Sequence, residues 1–356
     1  MIQNRINRLR TQLEKNCAAL ILSKVNRLYF SGFSSSAGAI VVAENQAVFL
    51  TDFRYFEKAK REIKDLEVIL SKKLYSDIKE VLKKEGVKTL FLETDYVNLN
   101  QYTSLTSIFE DITISKENVL TLAIKEMRSV KTNDEINNII TAQKITDKAF
   151  LHILNFIDTN KTEKEIAVEL EFFMRKEGSE AASFDFIVVS GKNSSLPHGT
   201  PTDKKIEYGD FITMDFGGVI NGYRSDMTRT VALGEVTEKQ KLVYNTVLKA
   251  QETALEKIKP HAICKDIDKA ARDVINNAGF EGCFGHGLGH SVGLEIHELP
   301  SFNTVDNTAL QSGMVLTVEP GIYLENEFGV RIEDMVAITD KDYVNLTSSP
   351  KELIIL

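Results

Sequence analysis

The sequence is poor in cysteine, with three among 356 residues (Cys17, Cys264 and Cys283) and no CxxC pair. So sparse and odd a set excludes a disulfide framework and a thiolate zinc site, and predicts free thiols in a reducing compartment. Only six prolines are present and no low-complexity tract interrupts the chain, which argues against a long linker. No run of ~18 apolar residues exists, so no transmembrane helix and no membrane partner are expected. The basic N-terminal MIQNRINRLR is not followed by an apolar stretch, and reads as a surface helix with Ile2, Ile6, Leu9 and Leu13 on one stripe. The cytoplasm is the expected location. Positive charge is also short: 43 Lys and Arg against 51 Asp and Glu give a net charge of −8, which disfavours a nucleic-acid partner.

What is present is the make-up of an ordinary globular chain, 43% hydrophobic and 26% charged. Single cores stop growing near ~250–300 residues, so this length predicts more than one domain. Short strands are expected at 18–23, 38–43, 47–51, 68–70 and 89–93, with a helix over 77–85 that Gly86 ends. Asp52 and Arg54 in this region read as structural. Further on, Thr132-x-x-Glu135, Thr162-x-x-Glu165 and Thr237-x-x-Gln240 have capping-box spacing and mark helix starts. The expected organisation is an α/β N-terminal domain over 1–122, a linker over 123–133 and a larger domain over 134–356. In that second domain helices interleave with strand pairs, making the chain α+β overall.

Three stretches carry candidate chemistry. In the first, 209–217 (GDFITMDFG) and 222–230 (GYRSDMTRT) read as paired strands joined by a turn at 218–221. Asp215 and Asp226 could then face each other across the ladder at ~5 Å. Like charges that close raise one pKa unless a cation neutralises both; the ordinary alternative is a turn Asp and a strand-end Asp bonded to nearby Thr and Arg. In the second stretch, 284–300, three of the six histidines (His286, His290 and His297) fall among four glycines, which implies irregular backbone packed closely. In the third, Glu319 follows the apolar run 315–318, and Glu333 alternates with Arg331 and Met335. An ionised carboxylate is almost never buried without a partner. An internal Arg331–Glu pair is one such partner. Two divalent cations beside four carboxylates are another, and an oxygen-rich set with one imidazole suits Mn²⁺, Co²⁺, Fe²⁺ or Zn²⁺.

On these motifs the chain resembles the creatinase/methionine-aminopeptidase superfamily with its pita-bread catalytic fold. Within it, the whole length is similar to the proline-specific branch of Xaa-Pro aminopeptidases and Xaa-Pro dipeptidases (prolidases). Residues 1–122 resemble the creatinase-type N-terminal domain more loosely, including VNRLYFSGF at 25–33. The resemblance implies a dinuclear metal site of Asp215, Asp226, His290, Glu319 and Glu333, with manganese the expected metal and cobalt, zinc or iron the alternatives. Asp215 would chelate one ion, His290 and Glu319 the other, and Asp226 and Glu333 would bridge. It implies a metal-bridging hydroxide that attacks the scissile carbonyl of an Xaa-Pro bond, Glu319 as proton shuttle and His297 as oxyanion donor. His198 would contact substrate and carry or orient a proton, and His286 and Arg331 would line the pocket. Thr228 would support a bridging carboxylate. Proline-containing peptides are the expected partners and a homodimer the expected assembly. Phe328 departs from the family, where a small residue is frequent; it would either reshape the pocket wall or pack outward. Alternatives are another aminopeptidase specificity on the same fold, or an inactive module that binds peptides or histones.

Overall fold

The computed structural model describes residues 2–356, which divide into two compact units, one up to Met127 and the other Arg128–Leu356. Among the described residues no helix is long and apolar enough to cross a membrane.

The first unit is built on six strands: β1 (Cys17–Ile21), β2 (Ala39–Val42), β3 (Ala47–Thr51), β4 (Glu67–Leu70), β5 (Thr89–Leu92) and β6 (Thr113–Ile114). They form one mixed sheet in the order β4-β3-β2-β1-β5-β6. Helix Ile2–Arg10 buries Ile6 and Leu9 of the predicted stripe, while Ile2 is half-buried and Leu13 lies past the helix end. Helix Leu74–Lys84 buries Ile78 and Leu82, and Gly86 follows its end at φ 67°. Asp52 caps helix Phe53–Glu62 through Arg54 N, a structural duty as expected. The segment expected as a linker is instead helical through most of its length, in Val119–Ser129. Leu120, Ile124 and Met127, all buried, repeat at helical spacing and account for it.

The second unit holds two antiparallel sheets. β7 (Ile187–Ser190), β8 (Phe211–Phe216) and β11 (Met227–Ala232) form the first in the order β11-β8-β7, with a small hairpin of β9 (Val219–Ile220) and β10 (Tyr223–Arg224) between β8 and β11. β12 (Gly289–Ser291), β13 (Glu298–Phe302), β14 (Val315–Val318), β17 (Asp334–Ile338) and β18 (Tyr343–Asn345) form the second, in the order β13-β12-β14-β17-β18. A further hairpin pairs β15 (Gly321–Leu324) with β16 (Phe328–Arg331). Helices Asn133–Ile153 and Glu163–Lys176 share a core with the three-stranded sheet, and Glu238–Leu255 and Cys264–Ile275 share another with the five-stranded one. The helices starting at Asn133, Glu163 and Glu238 each begin with a complete capping box, on Thr132, Thr162 and Thr237. Phe328 neither reshapes a pocket nor points outward: it is buried edge-on against Phe211, ring centroids 5.5 Å apart.

Candidate metal centre

Strands and the residues flanking them deliver the five predicted ligands. Asp215 lies on β8, Asp226 immediately before β11, His290 in the middle of β12, Glu319 just past β14 and Glu333 between β16 and β17. The turn after β8 differs from expectation. It is not a single loop at 218–221 but the β9–β10 hairpin, turned at Asn221 and Gly222 with φ 50° and 80°, the conformation an Asn-Gly pair favours. Asp215 consequently faces Thr228, not Asp226, across the ladder. Asp226 stands two residues before Thr228, so it keeps the same face as the diagonal neighbour of Asp215.

All five side chains line one cleft of about 600 Å³, together with His198, His286, His297 and Arg331. One ligand atom each from Asp226, His290 and Glu333 lies within 4.8 Å of the others, and His290 Nε2 is 3.4 Å from Glu319 Oε1 and 3.6 Å from Asp226 Oδ2. His290 Nδ1 meets Ser291 O at 3.2 Å, which fixes the proton there and leaves the Nε2 lone pair facing the carboxylates. Burial pushes this imidazole down to about 4, with His297 as the next cause, so it is neutral at ordinary pH. Burial likewise raises the Asp226 and Glu333 carboxyls well above their usual range, helped by the neighbouring carboxylates, and raises Glu319 to about 8. Asp215 Oδ1, Asp226 Oδ1 and Glu333 Oε1 are buried and accept no hydrogen bond. Uncompensated buried acceptors are costly, and a divalent cation compensates several at once. The donor set therefore fits divalent ions.

Arg331 is not paired with a glutamate. Its Nη2 donates to Asp215 Oδ2 at 2.7 Å, its Nε to Thr228 Oγ1 at 2.9 Å, and its Nη1 to Tyr323 Oη at 2.9 Å and Pro197 O at 3.1 Å. Thr228 Oγ1 in turn donates to Glu333 Oε2 at 2.8 Å. Two participants carry no role in the sequence reading. Tyr323 Oη joins Arg331 to His286 Nε2 at 2.9 Å, while His286 Nδ1 meets Gly287 O at 2.8 Å. Thr317 Oγ1 donates to Glu319 Oε1 at 3.1 Å and accepts from His290 N at 3.0 Å, tying two ligand-bearing strands together. Thr317 sits two residues before Glu319, on the same strand face, and that parity is the signal that would have found it. His297 is exposed beside His290, ring centroids 4.4 Å apart, and its pKa is lowered by burial and by His198. His198 is exposed and also lines the cleft, in the loop after β7.

Four carboxylates and an imidazole, carried on two antiparallel sheets and converging on an open cleft, define a metal-dependent hydrolase of the pita-bread class. The chain belongs to metallopeptidase family M24, whose pattern matches residues 137–340; the creatinase/prolidase N-terminal domain matches residues 5–130. It is 38% identical to a Xaa-Pro dipeptidase of Pyrococcus furiosus over 356 residues, covering 99% of this chain and 100% of that one. Among solved structures, a Xaa-Pro dipeptidase from Bacillus anthracis superposes with a TM-score of 0.96 at 39% identity, over 100% of both chains. An X-Pro aminopeptidase from Thermotoga maritima superposes with a TM-score of 0.90, also at 39% identity, over 95% of this chain and 97% of that one.

Proposed function

We propose that this chain hydrolyses Xaa-Pro bonds, at peptide N-termini or in dipeptides, with two divalent ions held by Asp215, Asp226, His290, Glu319 and Glu333. The observation that carries the reading is the set of three buried carboxylate oxygens, on three of these five residues, that accept no hydrogen bond. Likeness at 38–39% identity to enzymes named for that bond supports the substrate. Asp215 would hold one ion, His290 and Glu319 the other, and Asp226 and Glu333 would contribute to both. Bound there, the ions supply Lewis-acid activation of water and of the scissile carbonyl.

The chain's own groups do the rest. Glu319 moves a proton from the attacking water to the departing proline nitrogen, its Oε1 oriented by Thr317 Oγ1. His297, on the open side of the cleft, donates to the oxyanion as it develops. His198 contacts substrate and carries or orients a proton, and His286 and Arg331 line the pocket. An Xaa-Pro amide has no N–H, so the cleft needs no acceptor at the scissile nitrogen. Manganese is the metal we assign, on the oxygen-rich donor set. Three free cysteines support a reducing, cytoplasmic setting, and a homodimer is the assembly to be checked by sedimentation.

The test compares Xaa-Pro dipeptides with Xaa-Pro-Xaa tripeptides on the manganese-loaded chain. Release of the residue before proline from either supports the reading, and cleavage of the dipeptide alone assigns a dipeptidase. Cleavage of neither, with the metal in place, overturns it.

A further inference from the structure

The loop that carries His198 is closed by a carboxylate outside the cleft. Glu163 opens helix Glu163–Lys176 and is fully buried. Its Oε1 accepts from Ser190 N at 2.6 Å, Ser190 Oγ at 2.9 Å and Asn193 Nδ2 at 3.1 Å. Its Oε2 accepts from Thr202 Oγ1 at 2.6 Å, Thr202 N at 3.0 Å and Asn193 Nδ2 at 3.3 Å. One carboxylate thereby bonds both ends of the segment 190–202, and Pro197, His198 and Gly199 lie between those ends. All the donors are neutral. Hydrogen bonds to an ionised acceptor are roughly twice as strong as neutral ones, and a buried carboxylate is tolerable only when so satisfied. Its place at a helix N-terminus adds a favourable dipole.

The same loop is held from the cleft side by Arg331 Nη1 on Pro197 O at 3.1 Å, and by Gly329 N on Ser194 Oγ at 2.9 Å. Those contacts fix the middle of the loop, and Glu163 fixes its ends. A Cβ added at Gly199 would crowd Val189 Cγ1 and Leu196, so the backbone beside His198 has little slack. Glu163 itself does not line the cleft.

We propose that Glu163 is a positioning residue: by closing the 190–202 loop it sets where His198 stands toward substrate. The inference rests on the reading of His198 as a substrate-contacting group. It is tested on the full-length, manganese-loaded chain with Glu163→Gln, Thr202→Val, His198→Ala and the double variants that combine each of the first two with His198→Ala. Thr202→Val removes one hydroxyl donor and keeps the backbone donors, so a folded protein remains should Glu163→Gln not fold.

In the otherwise native chain, each loop variant loses kcat/KM with metal content unchanged, by roughly 10–100-fold for Glu163→Gln, as for a misplaced substrate contact. The loss divides between KM and kcat as it does for His198→Ala. In the His198→Ala background the same substitutions change kcat/KM by less than about twofold, because coupled residues are not additive. Equal losses in the two backgrounds overturn the positioning role while leaving the site reading intact. A His198→Ala variant as active as the native chain overturns the site reading, and this inference with it.

Discussion

Asp226 and Glu333 each bury an oxygen that accepts no hydrogen bond, and their carboxyls are driven up by burial and by neighbouring carboxylates. On the proposed assignment each would serve both ions, so neutralising either weakens the hold on both. Asp226→Asn or Glu333→Gln is expected to lose metal, measured by elemental analysis, together with activity. His297→Ala is expected to retain the metal and lose kcat by roughly 10²–10³-fold, as for one missing oxyanion donor. Metal loss in His297→Ala with full occupancy in Asp226→Asn would reverse these assignments. Glu319 gives the pH dependence. Its carboxyl stands near 8 in the metal-free chain, against about 4.3 when exposed in an unfolded one. A folded-state pKa raised in this way contributes stability below the unfolded value and loses it as pH rises through about 8. The metal-free protein should therefore lose thermal stability between pH 5 and 8 relative to Glu319→Gln, which has no proton to lose there. Metal binding at neutral pH should release protons, detectable by calorimetry in buffers of different ionisation enthalpy.

At the scale of elements, the site depends on how closely the sheet backbones approach. A Cβ at Gly289 would overlap the carbonyl of Thr317 on the neighbouring strand, one residue before the ligand His290. Gly289→Ala is expected to cost at least about 1–3 kcal/mol, the range for overpacking, and to weaken metal binding as well. Thermal melts with and without metal check both effects. Much of this scale was legible beforehand. The three capping boxes are local patterns, and they start helices where the sequence places them. The turn at Asn221-Gly222 is equally local, but a turn read over 218–221 misses the β9–β10 hairpin, whose register puts Thr228 opposite Asp215. Residues 123–133 read as a linker because the polar stretch from 126 masks the Leu120, Ile124 and Met127 stripe of helix Val119–Ser129.

At the scale of the molecule, five ligands separated by up to 118 positions meet because two sheets bring their strand ends to one cleft. Apolar surroundings mark the four carboxylates in the sequence, since a carboxylate in an apolar strand needs a reason; the choice of His290 among the three clustered histidines comes from the family resemblance. The partners of buried charges were not legible in the same way. Arg331 choosing Asp215 over a glutamate, and Glu163 holding both Ser190 and Thr202, depend on distances that no spacing encodes. Because the ions bind the folded chain, their removal should lower the melting temperature. Saturation at 100 times Kd adds about 2.7 kcal/mol of stability, and chelation removes it.

The most direct test is the rate of proline release from an Xaa-Pro dipeptide by chelator-stripped protein titrated with Mn²⁺. The account predicts no turnover without metal and activity that rises to a plateau at two ions per chain. Turnover that survives stripping, or a fully loaded protein that releases the residue before proline from neither the dipeptide nor a longer Xaa-Pro peptide, would contradict it.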